Sequence, residues 1–162
     1  VRWFASDILP LVRERVPAAV LSIVGRNPAP AVRALAGPAI EVTGTVPDTR
    51  PHVARAACAV VPIRVGGGTR IKIYELMSAG AAVVSTTIGA EGLEYRDGEN
   101  ILIADEPAAF AGAVAGVLSG DGRRRALGAA ARDFVAKHCA WETVARRFVE
   151  ALPLKQTEGD DR

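Results

Sequence analysis

Short runs of strand character alternate along the chain with segments of helical periodicity. Five strands are predicted, at residues 19–24, 40–44, 57–63, 81–86 and 101–104. Most of them are continuous apolar runs of the length of a buried strand, whereas residues 40–44 alternate like an edge strand. Between the strands, apolar residues recur three or four positions apart, as in helices that pack one face on a sheet. This alternation predicts an α/β fold, a Rossmann-like doubly wound parallel sheet.

Seven helices are predicted, at residues 1–16, 29–36, 47–57, 70–79, 107–118, 122–137 and 141–152. The first should bend at Pro10 and stop before Pro17, because proline lacks an N–H and clashes with the preceding turn. In a doubly wound sheet of order 3-2-1-4-5-6, the five strands fit positions two to six. We therefore expect the first, central strand to be truncated here and to lie upstream of Val1. Residues 1–152 are predicted to form one domain, and residues 153–162 a disordered polar tail.

The composition narrows the class of protein. With 162 residues, 49% of them hydrophobic, the chain can bury the core of one soluble domain. A net charge of only +2 does not indicate a nucleic-acid-binding surface. No apolar run approaches the roughly 20 residues of a membrane span. Cys58 and Cys139 fit neither a disulfide framework nor a metal site, so we expect a cytoplasmic protein.

The glycines at residues 66–68 follow a predicted strand and precede a predicted helix. Thr69 is a good N-cap residue, and Gly80 stands where a helix commonly ends. A strand, a bare glycine loop and a helix together direct unpaired N–H groups and the positive end of a helix dipole at whatever fills the loop. The motif is neither a P-loop nor G-x-G-x-x-G, because Ile71 occupies the place of the last glycine. It still predicts a site for an anion, with phosphate the best fit.

Three charged residues follow the loop. Glu75 lies on the second turn of a largely apolar helix, where a carboxylate needs a partner. A ribose diol would suit it, and so would an i,i+3 ion pair with Lys72; spacing alone leaves both open. Arg70 and Lys72 stand in the first helical turn, where cations oppose the helix dipole. An anionic ligand would remove that conflict; alternatively, both side chains simply reach solvent.

Two adjacent segments carry a resemblance to a known family. They read Gly66-Gly-Gly-Thr-Arg-Ile-Lys-Ile-Tyr-Glu-Leu-Met-Ser-Ala-Gly80 and Ala82-Val-Val-Ser-Thr-Thr-Ile-Gly-Ala-Glu-Gly-Leu93. Both resemble the carboxyl-terminal domain of retaining glycosyltransferases of family 4, also called group 1 glycosyl transferases. Residues 17–25, residues 42–48 and the last helix, beginning at Trp141, fit the same family. The resemblance implies one half of a two-domain GT-B fold, the half that binds a nucleotide-diphospho-sugar.

The resemblance also implies roles for particular residues. Glu75 matches the second glutamate of the family's E-x7-E motif, which holds the ribose hydroxyls, whereas Gly67 stands in place of the first glutamate. The loop backbone would meet the diphosphate and sugar, and the backbone of Thr45 and Val46 the base. Arg70 and Lys72 are expected to be catalytic, stabilising the leaving diphosphate, without a metal or other cofactor. The nucleotide-sugar-binding residues implied are Gly25, Thr45, Val46, Gly66, Gly67, Gly68, Thr69, Arg70, Ile71 and Glu75.

The function predicted is that of the donor-binding half of a retaining, metal-independent hexosyltransferase in polysaccharide or glycoconjugate biosynthesis. The donor would be a UDP-, GDP- or similar sugar, and the acceptor a glycan, glycolipid or glycoconjugate. The acceptor-binding domain is expected to lie outside this chain, which alone would be inactive. Association of the full-length protein with the inner face of the membrane is left open. Two alternatives are a non-catalytic nucleotide-sugar-binding module and a GT-B-fold nucleotide-sugar epimerase domain.

Overall fold

The structure, a computed structural model, describes residues 1–152. The helices of this part are α1 (Leu9–Arg15), α2 (Pro30–Arg33), α3 (Arg50–Arg55), α4 (Ile71–Ser78), α5 (Pro107–Ser119), α6 (Asp121–His138) and α7 (Trp141–Ala151). Its strands are β1 (Leu21–Val24), β2 (Ile40–Gly44), β3 (Ala59–Val61), β4 (Val83–Ser85) and β5 (Leu102–Ile103). Each predicted helix and strand is found in its place, although α5 and α6 extend one residue past the predicted bounds and every strand except β2 is shorter than expected. The predicted tail, residues 153–162, lies outside the described residues.

All the strand pairs are parallel. β1 pairs with β2, and β3, β4 and β5 form a second sheet in that order. α-Helices connect successive strands from β1 to β4, and a short 3-10 helix at Ile88–Ala90 lies between β4 and β5. The chain therefore has the predicted Rossmann-like α/β fold. Within residues 1–152, β1 and β3 do not pair with each other, and neither has a second strand partner. This is the arrangement expected of strands that occupy positions two to six of a doubly wound sheet.

Helices cover both faces of β4. The side chains of Val83 and Val84 point to opposite faces of the sheet because successive residues of a strand alternate, and both are fully buried. Val84 packs in a cluster with Phe4 and Phe110 from the first helix and α5. Val83 packs in a second cluster with Met77 of α4 and other apolar residues of α4, α6 and β5. Burial on both faces is what makes the sheet doubly wound.

The amino-terminal helix accommodates Pro10 through a change of helix type. Residues Phe4–Ile8 form a π-helical turn, in which the Leu9 N–H bonds to the Phe4 carbonyl, and α1 follows directly. A wider turn before a proline keeps the helix continuous where a regular helix would clash. The π turn is the irregularity that the structure shows before Pro10, and the bend itself stays a prediction. The helix ends at Arg15, before Pro17, as predicted.

Helix α4 ends in a Schellman motif that brings its last turn against α6. Gly80 has φ +74°, its N–H bonds to the Met77 carbonyl, and the Ala81 N–H bonds to the Leu76 carbonyl. The backbone of Gly128 in α6 lies directly against this turn. A Cβ added to Gly128 would stand 2.1 Å from the Gly80 carbonyl oxygen.

We predict that Gly128→Ala lowers the free energy of unfolding by roughly 1–3 kcal/mol, because α4 and α6 would have to move apart. Gly122→Ala is the matched control, since a Cβ there meets no atom within 4 Å. It should leave stability unchanged or raise it by up to about 1 kcal/mol. Urea denaturation of both variants measures the difference. Equal midpoints for Gly128→Ala and the parent protein would show that the two helices are not in contact at this point.

Candidate functional site

The glycine loop lies at the carboxyl edge of the three-stranded sheet. β3 ends at Val61, β4 at Ser85 and β5 at Ile103, and these three residues are aligned in the register of the sheet. The segments that follow the strands therefore begin at one edge. In open α/β sheets this edge is where ligands bind.

The backbone of the glycine loop requires glycine at two of its three positions. Gly66 has φ +147° and Gly68 has φ +103°, a region that residues with a Cβ rarely adopt, whereas Gly67 has no positive φ. All three glycines are exposed, and the preceding Val65 is 91% exposed. Among the described residues, none accepts a hydrogen bond from the backbone N–H groups of residues 66–72. The loop and the first turn of α4 thus present a continuous row of free donors.

The start of α4 differs from the prediction. The N-cap residue is Arg70, with φ −83° and ψ 36°, and no side chain caps the helix. The expected N-cap, Thr69, is an exposed loop residue, so that prediction is wrong. The helix begins at Ile71 with its first N–H groups open, the arrangement in which an anion can take the place of a cap.

The Arg70 side chain folds back beneath the loop rather than reaching solvent. Its Nη2 donates to the Gly66 carbonyl at 2.8 Å, and its Nη1 donates to the Gly67 carbonyl at 3.2 Å. The side chain is only 8% exposed, and its buried Nε has no hydrogen-bond partner. The nearest carboxylate is that of Glu91, on the segment after β4, at 3.8 Å from Nη2 and largely exposed.

Glu75 and Lys72 both lie on the exposed face of α4. The helix buries Ile73 and Met77 against the sheet and leaves Glu75, Lys72 and Ile71 open to solvent. Glu75 therefore does not need a partner for burial, contrary to the expectation. The alternative ion pair with Lys72 does not form in the described part of the chain, where neither residue has an oppositely charged group within 4 Å. The carboxylate is free to accept hydrogen bonds from a ligand.

A buried hydroxyl group after β4 holds the base of the loop. The Thr86 hydroxyl donates to the carbonyl of Ile63, three residues before Gly66, and accepts the Gly89 N–H at 2.9 Å. Thr87 donates its N–H and hydroxyl to the Asp105 carboxylate after β5, at 2.8 and 2.6 Å. Our sequence analysis missed these residues, although a polar stretch directly after an apolar strand is a detectable signal.

Tyr74 connects α4 to Glu94, which lies in the segment between β4 and β5. Its hydroxyl accepts the Glu94 N–H at 3.0 Å and lies 3.3 Å from the Glu94 carbonyl, to which it donates. Desolvation by burial raises the pKa of Tyr74 to about 12, so the phenol stays protonated and able to donate. Glu94 in turn pairs with Arg147 of α7 at 3.5 Å. These contacts link α4 to the segment between β4 and β5, and they link that segment to α7.

The remaining predicted residues lie at the carboxyl ends of β1 and β2. Thr45 lines a cleft of about 400 Å³ together with Asn27, Arg33 and neighbouring residues that include the end of β2. Gly25 and Val46 flank this region but do not line the cleft. Sequence reasoning missed Asn27, whose positive φ of 49° marks a special turn, and Arg33, which bonds to the Pro28 carbonyl. No hydrogen bond joins this group to the glycine loop within residues 1–152.

The described residues contain neither a cluster of metal-ligating side chains nor a helix suited to spanning a membrane. No group of three or more His, Cys, Asp or Glu side chains in residues 1–152 is placed to hold a metal ion. None of the helices there has the length and apolar composition needed to cross a bilayer.

The fold and the open edge loop define a Rossmann-like α/β domain with a candidate anion site. The profile of the family described as "Glycosyl transferases group 1" matches residues 1–120. The chain belongs to this family. Two similar proteins come from Mycobacterium tuberculosis, strains CDC 1551 / Oshkosh and ATCC 25618 / H37Rv. Both are named GDP-mannose-dependent alpha-(1-6)-phosphatidylinositol monomannoside mannosyltransferase.

Each of these relatives is 32% identical to the chain over 169 aligned residues. The match includes 94% of the chain but only 43% of the relative. The chain therefore spans less than half the length of the proteins that it resembles.

The two glycine positions 67 and 68 should differ sharply in their tolerance of a side chain. We predict that Gly68→Ala costs about 1–3 kcal/mol of stability or reshapes the loop, because alanine at φ +103° is strained. Gly67→Ala should be close to neutral for stability, since its Cβ would meet no atom within 4 Å at an ordinary φ. Thermal unfolding compares the two variants. A Gly67→Ala variant as destabilised as Gly68→Ala would contradict this loop conformation.

Proposed function

We propose that the chain binds the nucleoside diphosphate of a nucleotide-sugar and forms the donor-binding half of a retaining glycosyltransferase. One observation carries the proposal: the row of free backbone N–H groups over residues 66–72 at the start of α4. Family membership supports it, since the relatives named above are GDP-mannose-dependent transferases. Donated N–H groups at a helix start are a common way to bind phosphate.

In this proposal the diphosphate lies over the loop, and Glu75 accepts hydrogen bonds from the ribose hydroxyls. Glu75 is four residues after Ile71, so it stands about 6 Å further along the helix axis. A single nucleotide can contact both regions. The exposed Glu75 carboxylate has no competing cation in the described structure, which leaves it available to the diol.

We propose GDP-mannose as the donor, on the strength of the names of the two relatives. The base would bind near the backbone of Thr45 and Val46, beside the cleft at the ends of β1 and β2, with Gly25 at its edge. The relatives act on phosphatidylinositol monomannoside. A glycolipid acceptor would place the full-length protein at a membrane surface, and we propose that this is the cytoplasmic, inner face.

The chemical contribution of this half would be stabilisation of the leaving group. In the transfer, the bond between the sugar's anomeric carbon and the diphosphate oxygen breaks, and an acceptor hydroxyl bonds to that carbon with retained configuration and gives up its proton. Negative charge develops on the departing GDP. The N–H row, the dipole of α4, Arg70 and Lys72 would offset that charge without a metal ion. The acceptor-binding domain would lie outside residues 1–162, so these residues alone would not catalyse the sugar transfer.

A second candidate function is a non-catalytic nucleotide-sugar-binding module. Gly67 favours it, because the family's E-x7-E pattern has a glutamate there that contacts the donor sugar, and here no side chain does. Turnover of GDP-mannose by the full-length protein separates the two functions. Binding without turnover would identify the module.

We predict that Glu75→Ala weakens GDP binding about tenfold or more, since a hydrogen bond to a charged group is typically worth roughly 1.5–3 kcal/mol. Isothermal titration calorimetry with GDP measures the change in Kd. Glu142→Ala in α7 is the matched control, because it removes another exposed helical carboxylate far along the sequence. Unchanged affinity in Glu75→Ala would exclude the ribose contact.

GDP binding should also be unaffected by removal of divalent metal ions. In the proposed site the balancing positive charge comes from protein groups alone. Calorimetry in EDTA and in excess Mg²⁺ or Mn²⁺ should give the same Kd within about twofold, since no ligand contact would change. Loss of binding in EDTA, restored by either ion, would overturn this electrostatic account.

A further inference from the structure

The Arg70 guanidinium lies under the glycine loop, and its contacts there determine which way the loop amides point. We propose that Arg70 is a positioning residue that turns the N–H groups of Gly67 and Gly68 outward as a two-amide phosphate site. This inference rests on the proposed function, and it assigns Arg70 an action through the backbone rather than by direct contact with the ligand.

The geometry follows from the peptide bonds themselves. Arg70 donates to both carbonyls: Nη2 is 2.8 Å from the Gly66 oxygen and Nη1 is 3.2 Å from the Gly67 oxygen. A trans peptide holds its C=O and the following N–H in opposite directions, and the described residues contain no cis peptide bond. The N–H groups of Gly67 and Gly68 must therefore point away from the guanidinium.

The outward side of the loop is open. A Cβ built at Gly67 or at Gly68 would meet no atom within 4 Å. Neither N–H has an acceptor among residues 1–152. Two consecutive amides that point to the same open side form the concave donor pair that binds phosphate oxygens in proteins.

The charge balance around Arg70 also favours an anion at this position. The guanidinium is 8% exposed, its buried Nε lacks a partner, and the Glu91 carboxylate is exposed and 3.8 Å away. Burying a cation with so little compensation is costly. A phosphate above the loop would supply the missing negative charge across the peptide units that Arg70 holds.

A forked guanidinium is needed for this role, because two carbonyls must be bonded at once. Lysine at position 70 would keep the positive charge but not the planar pair of donors. Arg70→Lys therefore separates positioning from charge alone. Arg70→Met removes both while keeping an apolar side chain of similar length. Arg132→Met in α6 is the matched control, since it removes the same charge from an exposed site.

The experiment titrates the protein and its variants with GDP, inorganic pyrophosphate and guanosine, after urea denaturation has shown which variants are folded. Arg70→Lys and Arg70→Met should each lower the affinity for GDP and pyrophosphate about tenfold or more. The reason is that the N–H groups of Gly67 and Gly68 would no longer point at the phosphate. Guanosine affinity should not change in the folded variants, whereas general damage to the domain would lower it. Arg132→Met should bind all three ligands like the parent protein.

Nuclear magnetic resonance of glycine-labelled protein supplies the second readout. In the parent protein, pyrophosphate should shift the amide signals of Gly67 and Gly68, and both signals should already move in ligand-free Arg70→Lys. Parent-like GDP affinity in Arg70→Lys, or unmoved amide signals, would overturn the positioning role. If the parent protein bound pyrophosphate at these amides but not GDP, the proposed function would fail while the role of Arg70 stood.

Discussion

Burial of β4 on both faces is the constraint on which the rest of the structure depends. Val83 and Val84 each anchor a separate apolar cluster, so helices must cover the sheet from both sides. The same strand pairs with β3 and β5 in a parallel register that aligns all three carboxyl ends. Because Thr86 follows the strand while still buried, its hydroxyl fixes the Ile63 carbonyl at the base of the glycine loop. The core thereby determines where the loop begins.

The glycine loop has several features that do not favour stability of the folded chain. Backbone donors are normally satisfied, yet the N–H groups of residues 66–72 find no acceptor in the described chain. Two glycines sit at positive φ, and an arginine is buried with one nitrogen unpartnered. Features of this kind concentrate at functional sites because folding alone would not select them. Exposure to water limits their cost in the free protein, and a bound anion would remove much of it.

The architecture could be predicted from sequence because it depends on periodicity, which survives in a single chain. The alternation of apolar runs and helical segments, and the glycine that ends α4, are local signals. The burial of the Arg70 side chain could not be predicted in this way, because an arginine shortly after three glycines is expected to reach solvent. Its burial depends on the loop turning two carbonyls inward, which no local pattern encodes. For the same reason Thr69 was expected to cap a helix that begins after Arg70.

Glu75 is exposed, so burial does not oblige its carboxylate to have a partner. A buried carboxylate would have demanded a partner, whereas an exposed one can remain hydrated at little cost. Its significance therefore depends on position: it lies on the open face of α4, near the row of free amides, with exposed Ile71 beside it. Gly67 places no side chain beside the loop amides, where a Cβ would meet no atom within 4 Å. A glutamate at position 67 would bring a second negative charge near the amides, so glycine there would leave their full positive potential to an anion if one binds.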